Sequence, residues 1–215
     1  MLLAALATLM VAGYLVGRVV NKRRVQVVSA WLEPGMRSLG GAPTVQAVNR
    51  TAFRVKVTQA RNPFAVVTAT VVLISRESLP TWVWELIQRR HDLLVFHVTL
   101  KRAPAMEAEI ANVSSVPGQR GEAEAKLHGW TTAQVDGPYR VYHSATTAPD
   151  EACALAADVA GGRFAPWRVA VRRHAPHLLV SLPAPDIRDV SSMELTRWLR
   201  RLVKQLQAEQ GNEAY

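Results

Sequence analysis

The chain has 215 residues, of which 49% are hydrophobic, 20% charged and 7% aromatic, so it is long enough to bury one sizeable core. This composition excludes full-length disorder. A secreted, disulfide-stapled domain is excluded too, because Cys153 is the only cysteine. Lysine and arginine (26) exceed aspartate and glutamate (17), and the net charge of +9 favours anionic partners such as nucleic acid or anionic lipid head groups.

The N-terminal segment predicts a membrane anchor. Residues 1–17 contain no charged side chain, and Lys22, Arg23 and Arg24 follow the apolar run. About twenty helical residues cross the roughly 30 Å of a bilayer core. Because positive residues mark the cytoplasmic side, we expect a single span with the rest of the chain in the cytosol.

This anchor sets the predicted domain organisation. We expect a transmembrane helix with a basic flank at 1–24, a juxtamembrane helix and linker at 25–41, and a cytosolic domain at 42–215. Gly13 and Gly17 have the spacing that allows close approach of a second membrane helix, so they are candidate contacts for a membrane partner. The alternative is a coincidental, lipid-facing pair.

Beyond residue 41 the chain predicts interleaved strands and helices. Alternating or β-branched runs predict strands at 52–61, 64–74, 92–101, 106–113, 139–144, 167–172 and 177–182. Apolar residues at spacings of three and four predict helices at 78–90, 149–159 and 191–210. Residues 114–138 predict a loop with a short helix at 122–127. The fold class is therefore α+β, with one N-terminal transmembrane helix followed by a mixed or antiparallel sheet backed by helices.

The last predicted helix has the clearest pattern. Ser191 and Glu194 form a capping box at its start. Trp198 belongs to an apolar stripe that should dock on the sheet, while the arginines of this helix fall mostly on the other side.

The familiar catalytic motifs are missing from the sequence. No phosphate-binding glycine loop, nucleophile elbow or zinc-protease motif is present, so we expect a protein without enzymatic activity, metal or cofactor. His174 and His177 have a metal-compatible spacing, but no cysteine or acidic residue lies nearby, which favours a surface turn. Cys153 lies in an alanine-rich helix, which favours packing over reactivity.

Clustered basic residues are the candidate binding sites. Arg163 belongs to a cluster whose other members, Arg168, Arg172 and Arg173, are our first candidates for ribosome or RNA contact. The second set is Arg197, Arg200, Arg201 and Lys204 on the last helix. The alternative is that these side chains only solvate the surface, and on either interpretation changing the first three should leave folding nearly unchanged.

The order of elements resembles the calumin family, the coiled-coil-bearing subunit of the PAT chaperone complex at the endoplasmic reticulum translocon. The matching segments are 10–13, 22–24, 30–32, 71–79, 94–100, 177–183 and 191–210. The resemblance implies an endoplasmic reticulum adaptor of multipass membrane-protein insertion. Its implied partners are an Asterix-like small membrane protein, the ribosome and translocon, and nascent multipass proteins. The family's acidic luminal segment has no counterpart in this sequence, which argues against luminal calcium binding. Its C-terminal coiled coil has no counterpart either, which argues against the contacts that the family makes through that extension.

Another class of function is open at this point. An accessory subunit of an unrelated organellar or respiratory complex, in an organellar inner membrane, would also need one span and a small α+β domain. An enzyme whose site is assembled from distant residues is a third reading.

Overall fold

The computed structural model describes residues 2–76, 82, 87, 91–133, 135 and 137–212, which form one antiparallel sheet and four helices. The strands are β1 (Pro43–Ala47), β2 (Ala52–Thr58), β3 (Phe64–Val72), β4 (Leu93–Leu100), β5 (Ala108–Asn112), β6 (Thr131–Ala133), β7 (Tyr139–His143), β8 (Arg168–Val171) and β9 (Leu178–Pro183). The helices are α1 (Leu2–Ser38), α2 (Val116–Leu127), α3 (Pro149–Gly161) and α4 (Ser192–Asn212).

All nine strands belong to a single sheet, in the order β1-β2-β3-β4-β9-β8-β5-β7-β6. Every neighbouring pair is antiparallel. β9 lies between β4 and β8, so it joins the half formed by β1 to β4 with the half formed by β5 to β8.

One side of the sheet, the core face, is apolar across its width. A single row of facing residues consists of Val45, Val55, Ala69, Phe96, Val180, Val169, Ile110 and Val141, and all but Val45 are buried. Residues of α1, α3 and α4 complete the same hydrophobic cluster. The apolar residues that alternate along the strands therefore pack against the apolar stripes of three helices.

The opposite side, the second face, is polar and only partly covered. One of its rows is Gln46, Arg54, Thr70, Val95, Ser181, Arg168, Ala111 and Arg140. The next row is Thr44, Lys56, Thr68, His97, Leu179, Ala170, Glu109 and Tyr142. α2 packs on the part of this face that belongs to β5, β7 and β8.

The predicted transmembrane anchor was wrong. Among the residues that the structure describes, no helix combines the length and the apolarity that crossing a bilayer requires. α1 instead contacts the domain. The Tyr14 hydroxyl accepts a hydrogen bond from Arg50 at 3.1 Å, and the Asn21 side chain accepts a hydrogen bond from Arg76. Gly17, which lies between them, is buried. These contacts attach the helix to the domain between Tyr14 and Asn21.

The same finding overturns the predicted location. A single-pass protein of the endoplasmic reticulum membrane, or alternatively of an organellar inner membrane, needs a helix of the kind that is absent from the described residues. α1 also runs without interruption past the boundary predicted at residue 24. Its last turns, with Leu32 and Met36 fully buried, belong to the core.

Most of the predicted strands are present. The seven predicted strands correspond to β2 to β5 and β7 to β9, whereas β1 and β6 were not predicted. In the segment 114–138, α2 begins at Val116 rather than at the predicted residue 122. The helix predicted at 78–90 lies outside the described residues except at Trp82 and Ile87, which are both helical.

α1 and α4 touch at a glycine. The Gly35 N–H donates a hydrogen bond to Ser192 Oγ at 3.1 Å, at the start of α4. A Cβ atom on Gly35 would lie only 2.4 Å from the Ser192 carbonyl oxygen, so one helix or the other would have to move. Glycine at this position therefore sets how closely the two helices approach.

We expect Gly35→Ala to lower the free energy of unfolding by about 1–3 kcal/mol, because the added methyl group overpacks the contact between α1 and α4. Gly161→Ala is the matched control, since its Cβ would meet no atom within 4 Å. That control should be neutral or stabilise by up to about 1 kcal/mol. Urea titration measures both, and equal midpoints for the two variants would contradict the proposed contact.

His177 has a structural partner. Its Nδ1 accepts a hydrogen bond from the Leu100 N–H at 2.9 Å, which requires that nitrogen to be unprotonated. Burial, together with the field of His174, lowers the pKa of His177 below its ordinary value of 6.5. The folded chain therefore binds a proton here less readily than the unfolded chain does.

This difference predicts acid sensitivity. The contribution of His177 to stability is complete above about pH 6.5 and is lost as the pH falls below 6.5 towards the folded-state pKa, because protons favour the unfolded chain in that range. His177→Asn keeps an acceptor for Leu100 but does not titrate, so we expect a shallower fall in melting temperature between about pH 7.5 and 5. An unchanged pH profile would show that His177 does not contribute.

Candidate anion-binding groove

The start of α4 is fixed by its cap. The Ser191 Oγ accepts a hydrogen bond from the Glu194 N–H at 3.2 Å, and Glu194 Oε2 accepts one from the Ser191 N–H at 3.1 Å. This reciprocal arrangement is the predicted capping box, which is thus confirmed. It satisfies two backbone donors where the chain enters the helix.

The apolar stripe of α4 determines which side faces outward. Trp198 is buried, as predicted, and its ring centroid lies 5.4 Å from that of Phe164, which follows α3. Leu195, Leu199 and Leu202 are also buried. With this side of the helix held against α1, α3 and the sheet, the basic residues of α4 must lie on its outer side.

A concave surface lies between the outer side of α4 and the segment after α3. It encloses about 490 Å³ and is called the α4 groove below. Its lining residues are Arg163, Phe164, Glu194, Arg197, Arg200, Arg201 and Lys204. Five of the seven side chains are basic and one is acidic, so the groove attracts anions.

The five cations are not equally available. Arg163 donates to the Asp189 carbonyl at 2.9 Å and pairs with Glu194 at 3.4 Å, while Arg200 donates to the Ser38 carbonyl at the end of α1. Arg197, Arg201 and Lys204 are exposed and form no hydrogen bond or ion pair with any described residue. These three cations are positioned by the helix and are free to bind a ligand.

The first predicted cluster has a different environment. Arg168 is buried under α2, and its Nε and Nη2 donate to the two oxygens of Glu109 at 2.7 and 3.1 Å. It also pairs with Glu124. Burial opposes the charge of Arg168, but the two carboxylates outweigh that effect and its pKa lies above the ordinary value. The expectation of a solvated position was therefore wrong for Arg168.

Its two neighbours also bind within the chain. Arg172 donates to Glu109 at 2.5 Å and lies over the Trp130 ring, 4.5 Å from the centroid. Arg173 is exposed but donates to the Ala105 carbonyl at 2.9 Å. All three predicted arginines thus have intramolecular partners, in contrast to the three free cations of the α4 groove.

The remaining candidate residues lie in different parts of the fold. Gly17 is buried on the side of α1 that faces the domain, and Gly13 is half-buried. Arg163 lies in the α4 groove rather than with Arg168, a placement that sequence proximity could not indicate. Among the described residues, no three histidine, cysteine or acidic side chains converge on a metal position.

We expect Arg168→Gln to destabilise the domain by about 3–5 kcal/mol, because it leaves the fully buried Glu109 without its principal partner. Arg197→Gln, which removes an exposed charge, should change the free energy of unfolding by less than about 0.5 kcal/mol. Combining Arg168→Met with Glu109→Leu should restore much of the loss. Chemical denaturation checks all three, and a small effect of Arg168→Gln would contradict the buried ion pair.

Comparison with known proteins identifies no relative: no protein-family model matches the chain, and a search of curated proteins finds no match. The resemblance to the calumin family, and the partners it implies, therefore remain predictions.

Proposed function

We propose that the protein is a non-enzymatic adaptor that binds RNA through the α4 groove, with ribosomal RNA as the first ligand to test. The observation that supports this proposal is the row formed by Arg197, Arg201 and Lys204. These cations lie four and three residues apart on one side of a helix whose other side is buried. Such a row can contact successive phosphates without disturbing the core.

The chemistry of the groove favours contact with the RNA backbone. Phe164, the aromatic residue that lines the groove, is buried and packs on Trp198, so it is not available to stack on a base. Arginine and lysine side chains bind phosphate oxygens regardless of sequence. Binding should therefore depend weakly on RNA sequence and strongly on salt.

We expect the triple variant Arg197→Gln, Arg201→Gln, Lys204→Gln to bind a fluorescein-labelled RNA of about 20 nucleotides more weakly than the unaltered chain. Each phosphate contact contributes roughly 0.7 to the slope of log affinity against log salt for single strands, so loss of three contacts should reduce that slope by about 2. Fluorescence anisotropy at several salt concentrations measures both quantities.

The matched control is the triple variant Lys101→Gln, Arg102→Gln, Arg120→Gln, which removes the same charge at exposed positions that do not line the groove. It should retain most of the affinity and the salt slope. Equal losses in the two triple variants would show that net charge alone attracts RNA, and the α4 groove would then not be the site. Co-sedimentation with ribosomes tests the ribosomal ligand separately.

A further inference from the structure

The part of the second face that α2 leaves uncovered is formed by β1 to β4 and β9. We call it the open half-face. Arg54 and Lys56 on β2 are exposed here, and so is His97 on β4. Threonines and half-buried aliphatic residues fill the space between them, namely Val66, Thr68, Thr70, Val95 and Leu179. The surface is thus partly apolar, with two permanent positive charges on one side.

Among the residues that the structure describes, no negative charge pairs with these cations. The sequences of β1, β2, β3, β4 and β9 contain no aspartate or glutamate. Arg54 and Lys56 form no ion pair or hydrogen bond with any described residue. His97 adds no further positive charge near pH 7, because desolvation of its ring by the surrounding strands and the field of Arg54 lower its pKa below 6.5.

The part of the same face that α2 covers provides an example of a helix bound to cationic sheet positions. There α2 lies on the sheet and places Glu122 beside Arg140, at 2.8 Å, and Glu124 beside Arg168. These arginines belong to the row of the sheet that also contains Arg54. The molecule therefore already contains a helix whose two glutamates pair with cationic positions of this face.

We propose that the open half-face is a docking site for an acidic amphipathic helix of a partner protein, which lies beside α2 and pairs its carboxylates with Arg54 and Lys56. The apolar side of that helix covers the aliphatic residues between the cations. Charge complementarity and the example of α2 both support this occupant.

RNA fits this surface less well than it fits the α4 groove. The half-face offers two exposed cations beside half-buried aliphatic residues, whereas the α4 groove offers a row of three exposed cations that can contact successive phosphates. The two surfaces also involve different residues. The docking site is therefore independent of the proposed RNA binding, and the two can be tested separately.

The test uses the full chain and a labelled synthetic helix of about 20 residues that has leucines on one side and glutamates beside them. A second peptide has glutamine in place of glutamate, and a third has lysine. We expect the glutamate peptide to bind at least about tenfold more tightly than the glutamine peptide. Arg54→Glu combined with Lys56→Glu should weaken binding of the glutamate peptide about tenfold and strengthen binding of the lysine peptide.

Two further measurements locate the site. Because both side chains are exposed and have no partner in the described part of the chain, the double variant should keep the melting temperature and the RNA affinity of the unaltered chain. The triple variant of the α4 groove should keep its affinity for the glutamate peptide. Failure of the glutamate peptide to bind, equal binding of the glutamate and glutamine peptides, or no gain by the lysine peptide on the double variant would overturn the proposal. Loss of RNA affinity in the double variant would assign the half-face to RNA instead.

Discussion

The contact between α1 and α4 determines which side of α4 faces the sheet and which side faces outward. It depends on a glycine at position 35, since any larger residue would meet the backbone of Ser192. Hydrogen bonds from Trp31 to the Val190 carbonyl, at 2.8 Å, and from Arg200 to the Ser38 carbonyl, at 3.2 Å, lie on either side of it. Together these contacts fix the rotation of α4, and so its leucines face the sheet while its free cations face outward.

The positive charge of the chain is used in two ways. In one region, under α2, Arg168 and Arg172 neutralise a glutamate that is fully buried, and α2 could not pack there without them. In the other regions, Arg197, Arg201 and Lys204 of the α4 groove and the two cations of the open half-face have no acidic partner among the described residues. The net charge of +9 does not distinguish structural arginines from available ones, because that depends on whether the fold brings a partner such as Glu109 beside each of them.

The sequence predicted the elements with strong periodicity. The capping box at Ser191 and the burial of Trp198 followed from local pattern, as did seven strands. The start of α2 could not be predicted, because Gly118 and Gly121 have low helix propensity. Both glycines are needed, since a Cβ atom on Gly118 would collide with the Asn112 carbonyl and a Cβ atom on Gly121 would collide with the Glu109 carboxylate. The anchor was predicted incorrectly because an apolar run gives no sign that Tyr14 and Asn21 bind the domain.

The site was predicted only in part for a related reason. Arg197, Arg201 and Lys204 were recognisable from helical spacing alone. Arg168 and Glu109 are 59 residues apart and meet only because β5 and β8 are neighbours in the sheet, so the sequence could not show that Arg168 is neutralised. Sequence proximity grouped Arg163 with the wrong cluster for the same reason. Local spacing identifies a row of cations, whereas the tertiary fold determines which of them remain free.

The position of β9 has a consequence for biosynthesis. β4 finishes early in the sequence, but its outer edge pairs only with β9, which begins at Leu178. Until that strand is translated, the nascent chain exposes an unpaired strand edge next to Leu94, Phe96 and Val98, and α1 has not yet met α4. Such edges promote association between incomplete chains. The native core therefore closes only after β9 and α4 have emerged from the ribosome, and a chain truncated before residue 178 would lack the junction between the two halves of its sheet.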